Sequence, residues 1–438
     1  MNQAWKNKRS IQIGQNIRER RKALGLTQAH LAKGLFSVQA ISLIERGKLN
    51  VSAETLEVFA ERLNCPVQEL LQMNELREDW LEDLLKTALR HQESNRLNEA
   101  MEVLHTLYAE ALVKNNTRYL QESSYLLCTL YHAVSKYSTS TDWGQEALRL
   151  LDPEPHLDRV INTYITVSRN YYMVGNMWEA FDLLRKAEQL VTTPTATKEA
   201  GNLYFGMALI KQMLQNWEGC IWYSEQALQQ FEHRDEIIKI GRTLMMMGTA
   251  YKNQGRITQA RQQIERSIRI LSQTNDLRSL ARSYHNLGEV ELKISSFDKA
   301  RKHFLRALKL KRQSGDKASI LNTLHALAKV EIHYGEFEKA RRILQECLTR
   351  AEQMNNPLQL AITKRHFGDL ALQQNQEEVF IHFYKQAIES FEKLKFSTEL
   401  AEAAEKLGDH YIQKGRDRQA IHYVRLANQH YRRLLKKS

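Results

Sequence analysis

Two groups of polar residues in this sequence are spaced for recognition rather than for catalysis. The first lies between Thr27 and Asn50, where amide and hydroxyl side chains alternate with apolar ones. A glutamine held on a helix can donate and accept together, so it can form two hydrogen bonds with one adenine edge. The motifs GxxxxGKS/T, GxSxG and HExxH do not occur in the chain. We therefore predict a protein that is not an enzyme and has no catalytic residue or cofactor.

Helix-capping residues divide the first group among short helices. Gly25 is suited to end one helix, Thr27 to begin the next, and Ser37 to begin a third. The apolar face of the third helix is predicted to consist of Val38, Ile41 and Ile44. Two short helices joined by a tight turn, the second exposing amide and hydroxyl groups, are typical of a helix-turn-helix.

This segment closely resembles the Cro/C1-type (Xre) helix-turn-helix family. The elements Thr-Gln-x-x-Leu-Ala, Ile-Ser-x-Ile-Glu-x-Gly and the Thr-Leu pair at 55–56 follow in the family's order. The resemblance implies a five-helix DNA-binding domain, in which Gln28 contacts a phosphate while Gln39 and Ser42 face base edges. The predicted DNA-binding residues are Thr27, Gln28, Ser37, Gln39, Ala40, Ser42, Arg46, Lys48 and Asn50.

One departure from that family lies at 50–52, where a proline is common and Asn-Val-Ser occurs instead. Ser52 is expected to cap the fourth helix in its place. The alternative for the whole segment is a helical bundle that serves only dimerisation or protein binding.

The second group of polar residues belongs to a repeat that begins near Leu81 and has a period of 40. Small residues return in register along it, and Phe380 interrupts the first column. The columns include Ala100, Ser140, Ala180, Cys220, Ala260, Ala300, Ala340 and Ala420, and also Ala88, Cys128, Ser168, Ala208, Gly248, Gly288, Ala328, Gly368 and Gly408. Such columns indicate close helix contacts repeated along a stack, and so predict a solenoid.

Each repeat is predicted to be a pair of helices. With residues 81, 121, 161 and so on as position 1, positions 4, 7, 8 and 11 share one helical face, and positions 20, 24 and 27 share another. The turn between the helices falls at position 15, which holds residues that tolerate a left-handed backbone. These are Asn95, Gly175, Gly255, Ser295, Gly335, Asn375 and Gly415. The run from Ser138 to Asp142 is expected to loosen the turn of the second repeat.

The unit resembles the tetratricopeptide repeat, whose order of Trp, Leu-Gly, Tyr, Ala, Phe and Ala positions it follows. The resemblance implies an all-α fold: a right-handed superhelical solenoid of about nine repeats, with the first helix of each repeat on a concave surface. The period exceeds the roughly 34 residues usual for that family. The additional residues are expected after position 27, in the second helix or at its junction.

Positions 2, 5, 6, 9, 12 and 13 of the first helices share the face opposite the small-residue columns, and they are rich in amides and basic groups. Asparagine matches the NH and CO groups of an extended peptide, and basic groups favour carboxylates. By the resemblance, Asn286 stands where clamp asparagines occur in peptide-binding repeats. The predicted peptide-binding residues are Asn162, Arg169, Tyr172, Asn202, Phe205, Arg242, Met245, Thr249, Asn253, Arg282, His285, Asn286, Asn322, His325 and Lys329. His285 and His325 share position 5, but no third ligand has matching spacing, so no metal site is predicted.

A helix-turn-helix followed by such repeats resembles the RRNPP group (Rgg, Rap, NprR, PlcR and PrgX) of peptide-pheromone receptors, and within it the NprR-like architecture. The resemblance implies a quorum-sensing transcription regulator that binds a two-fold DNA operator and a short signalling peptide. A homodimer or higher homo-oligomer is expected, with the run from Tyr431 to Leu435 as a candidate dimer cap. Two alternatives stay open: the repeats chiefly bind a protein, such as a response regulator that they sequester or dephosphorylate, or they form a scaffold without a peptide ligand.

We expect a basic tail at 1–9, the DNA-binding domain at 10–73, a linker at 74–80, and the peptide-binding and oligomerisation repeats at 81–438. The formal net charge is +12, and residues 1–75 hold eleven Lys/Arg against seven Asp/Glu, which favours a polyanion such as DNA. No apolar run approaches the roughly 20 residues of a membrane span, and residues 1–10 lack the apolar core of a secretory signal. A cytoplasmic protein without membrane contact is expected. Three of the four cysteines stand in small-residue positions, so all four are expected to be reduced and structural.

Overall fold

The structure is a computed structural model that describes residues 3–71, 74–192 and 197–435, and within these ranges its regular structure is entirely α-helical. The first helices are α1 (Gln3–Ala23), α2 (Gln28–Ala32), α3 (Val38–Glu45), α4 (Ala53–Arg62) and α5 (Val67–Leu70). The next are α6 (Asn74–Glu93), α7 (Leu97–Val113), α8 (Thr117–Ala133), α9 (Tyr137–Leu150), α10 (Pro153–Met173), α11 (Met177–Leu190), α12 (Ala200–Met213), α13 (Trp217–His233) and α14 (Ile237–Asn253). The last are α15 (Ile257–Leu271), α16 (Leu277–Lys293), α17 (Phe297–Gln313), α18 (Lys317–His333), α19 (Phe337–Gln353), α20 (Pro357–Gln373), α21 (Glu377–Lys393), α22 (Ser397–Gln413) and α23 (Asp417–Leu435). The predicted class, a five-helix helix-turn-helix domain followed by helical repeats, is confirmed.

Helices α1 to α5 pack around one small apolar core. Each helix contributes to it, with Ile17, Leu31, Ile41, Phe59 and Leu70 among the buried side chains. The predicted caps are confirmed: Thr27, Ser37 and Ser52 each accept a hydrogen bond from the backbone NH three residues further on. Because Ser52 satisfies the first turn of α4, that helix needs no proline at its start.

The predicted apolar face of α3 is wrong at one residue. Ile41 and Ile44 are at most 1% exposed, whereas 47% of Val38 is exposed. Val38 occupies the first turn of α3, which the other helices do not cover, so its side chain faces solvent beside the predicted recognition residues.

From α6 onward the helices alternate as pairs. In the repeat that begins at Ala281, α16 and α17 each span 17 residues. The 40-residue period therefore holds two helices of equal length, and the additional residues lengthen helices rather than loops. The run from Ser138 to Asp142, expected to loosen a turn, instead lies inside α9.

The predicted left-handed turns are confirmed at position 15. The seven predicted residues have φ between 56° and 89°, and Ser135 and Gln215 at the same position share this conformation. A second left-handed turn, which was not predicted, recurs twenty residues later. It is found at Asn115, Asp235, Gly315, Asn355 and Lys395.

The small-residue columns mark the contacts between the two helices of each pair. A Cβ added to Gly288 would lie 2.6 Å from the ring of Phe304, and one added to Gly368 would lie 2.5 Å from Tyr384. In both cases the contact residue lies on the second helix, sixteen positions later. Glycine at position 8 thus makes room for an aromatic ring at position 24.

The cysteines behave as small apolar residues, as predicted. Cys128, Cys220 and Cys347 are fully buried, and all four cysteines are free. Burial raises the pKa of both Cys128 and Cys220 to about 11. These thiols are therefore protonated and inert at neutral pH.

The chain divides into two compact units, Met1–Asn170 and Tyr171–Ser438. The tail predicted at 1–9 and the linker predicted at 74–80 fall largely within α1 and α6, and the predicted domain boundaries stay a prediction. In the predicted dimer cap, Tyr431 donates a hydrogen bond to Glu405 at 2.8 Å, and the side chains of 433–435 lie outside the described residues. None of the described helices combines the length and the apolar character needed to cross a membrane.

Candidate DNA-binding helix and peptide-binding groove

Helix α3 presents a polar outer face that is available for contact. Gln39 and Arg46 are exposed, and Ala40 and Ser42 are half-buried at the same surface. Ser37 caps the helix by accepting from the Ala40 backbone NH at 3.2 Å. In the described part of the chain, the side chains of Gln39 and Ser42 have no hydrogen-bond partner, so their polar groups are open to an external ligand.

The predicted phosphate contact Gln28 is engaged inside the domain. Its side-chain amide donates to Glu45 at 2.8 Å, and Glu45 is also held by Arg21 through bonds of 2.5 and 3.0 Å. Burial raises the pKa of Glu45, but the hydrogen bonds from Arg21 and Gln28 and the Arg21 charge outweigh it, so the pKa lies below its ordinary value. Arg21 also donates to the Leu26 carbonyl at 2.6 Å. This buried network joins α1 to the start of α2 and to the end of α3. Thr27, next to it, is exposed.

Two further predicted residues follow α3 in the loop before α4. Lys48 and Asn50 are exposed, and Asn50 accepts a hydrogen bond from Ser10 at the side of α1. Leu43 and Val38 are also exposed on the outer side of α3. An exposed apolar side chain beside Gln39 is suited to contact a thymine methyl group. The sequence prediction left out Val38 and Leu43 because their exposure cannot be deduced from their residue types.

The predicted peptide-binding residues lie on the first helices of the repeats, with different accessibility. In the first unit, Asn162 is half-buried and Arg169 is exposed. In the second unit, the exposed members are Arg242, Asn253, Arg282, Asn322 and Lys329, and the half-buried ones are Tyr172, Asn202, Phe205, Thr249, His285 and Asn286. Met245 and His325 are only 6% and 4% exposed, so they lie beneath the groove surface and have almost no surface for a ligand.

Several of these polar side chains already bond across neighbouring repeats. Asn286 donates to the Thr249 hydroxyl at 2.9 Å, which connects α16 to α14. Arg242 forms an ion pair with Asp276 at 2.6 Å and contacts Ser279 at 2.9 Å. A ligand that takes these groups must replace bonds that hold adjacent repeats together.

Two buried histidines of the groove, His325 and His366, are neutral at ordinary pH. His325 lies 2.9 Å from the Thr363 hydroxyl, and its ring packs 5.0 Å from that of His366. Burial lowers the pKa of His325 to about 2 and that of His366 to about 4. Across the described residues, no group of three or more His, Cys, Asp or Glu side chains is arranged to hold a metal ion.

The sequence prediction missed one end of the groove. A cavity of about 460 Å³ opens between α18, α20 and α22; we call it the α18–α22 cavity. Its polar lining consists of Lys329, His333, Arg365, His366, Asp369, Gln373, Tyr384, Glu402 and Lys406, and its apolar lining consists of Phe297 and Ile332. Most of the polar residues occupy the same helix positions as the predicted set, in the two repeats beyond it.

Charges alternate along position 9 of these first helices. Glu289 is paired with Lys252, and Asp369 is paired with Lys406 at 2.5 Å. Between them stands Lys329, which has no hydrogen bond or ion pair among the described residues and reaches solvent. Desolvation by the surrounding residues, and next the charge of Arg365, lower the pKa of Lys329, while the carboxylates of Asp369, Glu289 and Glu402 act in the opposite direction.

Comparison with known proteins supports both halves of this architecture. Residues 17–70 match a helix-turn-helix model, and residues 241–270 and 279–353 match tetratricopeptide repeat models. The transcriptional activator NprA of Geobacillus stearothermophilus is 24% identical over 266 residues, 59% of this chain and 62% of that protein. The chain thus spans less than two thirds of this curated relative.

Solved structures show the same fold. The apo form of the quorum sensor NprR from B. thuringiensis matches with a TM-score of 0.64 at 18% identity, covering 81% of this chain and 99% of that one. A Rap protein complexed with competence and sporulation factor matches with a TM-score of 0.59 at 12% identity, covering 82% and 99%.

Proposed function

We propose that this chain, which has the helix-turn-helix and tetratricopeptide architecture of an RRNPP-type regulator, controls transcription in response to a short signalling peptide. In this role, α3 binds operator DNA and the first helices of the repeats bind the peptide. The observation that carries it is the pairing, in one chain, of a helix whose polar face is exposed, α3, with a groove of amides and basic groups.

The DNA-binding half is supported by the exposure of α3. Gln39 is suited to read an adenine edge, Ser42 is suited to either base type, and Lys48 and Asn50 are suited to position the duplex through phosphates. Gln28 is held by Glu45, so in this proposal it supports α3 and contacts DNA only through a change of partner. A homodimer would match a two-fold operator, with half-sites one helical turn apart.

The peptide-binding half is supported by the inter-repeat bonds. A peptide amide that bonds to Asn286 competes with Thr249, and a peptide carboxylate at Arg242 competes with Asp276. Peptide binding therefore changes how α14 and α16 are held. Regulation follows only if the peptide binds one arrangement of the repeats more tightly than another. The likeness in fold to the quorum sensor NprR and to a Rap conjugation gene regulator in complex with the Phr* peptide agrees with this role. A regulator of this type works in the cytoplasm.

The test is recovery of genomic DNA fragments by the full-length protein, with and without synthetic peptides encoded by short reading frames beside its gene. A defined fragment should be enriched, and one peptide should change its recovery. Gln39→Ala should weaken binding of that fragment about 10- to 100-fold, the value of one bidentate base contact. Gln68→Ala, an exposed glutamine on α5, is the matched control.

The peptide response is tested on the same fragment. Asn286→Ala and Arg242→Ala should remove or weaken the response to the peptide while leaving peptide-free DNA binding intact. If no fragment exceeds the non-specific background, the DNA-binding proposal fails. If a fragment is bound but neither variant alters the peptide effect, the groove is not the sensor.

A second candidate function, implied by the resemblance to the RRNPP group, is binding of a response-regulator protein. Dephosphorylation would need a Gln or Glu to orient water, and the first repeats offer Glu102, Gln121 and Gln145. Glu102 and Gln145 are exposed, whereas Gln121 donates to the Leu150 carbonyl at 2.8 Å. Salt-dependent, sequence-specific DNA binding would favour the first function, and capture of a phosphorylated response regulator without DNA binding would favour the second.

A further inference from the structure

We propose that the α18–α22 cavity binds a carboxylate of the ligand, with Lys329 as its counter-ion and an apolar side chain of the ligand beside it. This inference rests on the proposed peptide function and adds the chemistry recognised at one end of the groove.

The two acidic groups of the cavity are already satisfied by the protein. Asp369 receives Lys406 at 2.5 Å and the Tyr384 hydroxyl at 2.6 Å, and its second oxygen lies 3.2 Å from His366. Glu402 is paired with Arg365 at 3.0 Å. These contacts leave each carboxylate with a cationic neighbour.

Lys329 differs from the other charged residues of its column. Glu289 and Asp369, one repeat before and one after it, both have lysine partners. Lys329 forms no such pair: the charge of Arg365 disfavours its charged form, and the carboxylates of Asp369, Glu289 and Glu402 favour it without being in ion-pair contact with it. A partly desolvated cation beside another cation, with no carboxylate in direct contact, is unfavourable. An anion bound there would remove that cost and would form a charge-assisted hydrogen bond.

The charge balance selects the kind of anion. The lining holds three cations, Lys329, Arg365 and Lys406, against the two carboxylates, and His366 is neutral because its pKa is lowered to about 4. The surplus is one positive charge. A carboxylate neutralises it, whereas a doubly charged phosphate would leave an excess negative charge in a cavity that already holds two acids.

One part of the cavity lining, beside Lys329 on α18, is largely apolar. Phe297 stacks on His333 with ring centroids 3.4 Å apart, and Ile332 lies beside them with 8% of its surface exposed. A ligand whose carboxylate reaches Lys329 places its adjoining atoms against this part of the lining. The carboxylate can come from the C-terminus of a peptide or from an Asp or Glu side chain next to an apolar residue, and both present the same group.

The experiment uses two pools of random synthetic heptapeptides, one with free C-terminal acids and one with C-terminal amides. Full-length protein is incubated with each pool, and bound peptides are identified by mass spectrometry. A preference for the acid pool assigns the C-terminal carboxylate, and enrichment of Asp or Glu in both pools assigns a side chain. In either case, Lys329→Met should weaken binding of the selected peptides about tenfold or more, and Lys329→Arg should retain it.

The matched control is Lys309→Met, because Lys309 is exposed on α17 and does not line the cavity. It should leave peptide selection unchanged, and a thermal unfolding curve should show that all variants remain folded. If peptides bind but neither pool shows a carboxylate preference, or Lys329→Met binds as well as wild type, this inference is overturned while the peptide-receptor function stands. If neither pool yields a bound peptide, both are refuted together.

Discussion

The buried Arg21–Glu45 pair should decide how firmly the recognition helix is held. Glu45 is the last residue of α3, its side chain is 2% exposed, and that of Arg21 on α1 is 10% exposed. Glu45→Ala would remove the acceptor for Arg21 and for Gln28 in one step. It would leave a guanidinium with little access to water and one remaining described bond, to the Leu26 carbonyl.

Breaking a buried ion pair by removing one partner costs about 3–5 kcal/mol. At the lower bound, local opening of α3 becomes more frequent by about 150-fold, since 1.36 kcal/mol corresponds to a factor of ten. Glu45→Gln keeps one oxygen that can accept from Arg21 Nη2 and Gln28, but it turns an NH2 group toward the Arg21 Nε–H and leaves the guanidinium charge unpaired, so its effect should approach that of Glu45→Ala. The double variant Arg21→Met with Glu45→Gln should cost less than the sum of the single changes, because no unpaired charge remains.

Hydrogen exchange of the full-length protein, read by mass spectrometry, measures this directly. Peptides covering residues 38–45 should exchange much faster in Glu45→Ala, while those covering α18 should not change. The pair should also weaken in acid: because the folded-state pKa of Glu45 is depressed, its contribution is complete above the unfolded pKa and is lost as pH falls through the folded value. Unchanged exchange in α3 would refute the reasoning, and equal acceleration in α18 would mean a global rather than a local effect.

Three further results are expected from the repeats. Thr249→Val should free the amide of Asn286 and strengthen binding of the cognate peptide about two- to tenfold, measured by calorimetry; weaker binding would contradict the competition. Gly288→Ala should lower stability by about 1–3 kcal/mol in a urea titration, because its Cβ would lie 2.6 Å from an aromatic ring, and a neutral result would mean that the helix pair relaxes freely. The pKa values of His325 and His366 are lowered to about 2 and about 4, so the unfolded chain binds protons more readily than the folded one below about pH 6.5. The free energy of unfolding should therefore be highest above about pH 6.5 and fall below it by up to about 1.4 kcal/mol per pH unit for each histidine. His325→Gln should reduce that slope, and an unchanged slope would mean that His325 does not contribute to it.

The fold could be predicted from the sequence at positions where a particular backbone conformation or helix cap favours a particular residue type. Glycine and asparagine at position 15 predicted the left-handed turns, and Ser52 was identified as a cap because a hydroxyl at that place satisfies the next helix. The second left-handed turn, found in five repeats, was missed because Asp235 and Lys395 occupy it as well as Gly315. Its conformation is imposed by the two long helices that it connects, not by the residue.

The candidate site was less predictable, because its state depends on contacts about 37 residues apart. Nothing in the local sequence indicates that Asn286 is bonded to Thr249, since this requires two first helices to stack in register. Met245 and His325 stand at position 5 and are buried, whereas His285 at the same position is half-buried, and the local sequence does not distinguish them. By contrast, Arg365 and Lys406 occupy positions 5 and 6 of later repeats, so the same spacing rule extended beyond Lys329 would have included them.

Groove residues that are already bonded across repeats, such as Asn286, and groove residues without a partner, such as Lys329, should have different effects on ligand binding. Exchanging the Asn286–Thr249 bond for a bond to a peptide changes the number of hydrogen bonds little, so it contributes little affinity but alters how neighbouring repeats are held. Ligand binding at Lys329 and beside Phe297 breaks no existing bond, because among the described residues Lys329 has no hydrogen-bond or ion-pair partner. Affinity should therefore depend mostly on the α18–α22 cavity, and the response should depend mostly on α14 and α16. Variants of the two regions should separate accordingly: Lys329→Met should raise the peptide concentration needed for a full response, whereas Asn286→Ala should reduce the size of the response at saturating peptide.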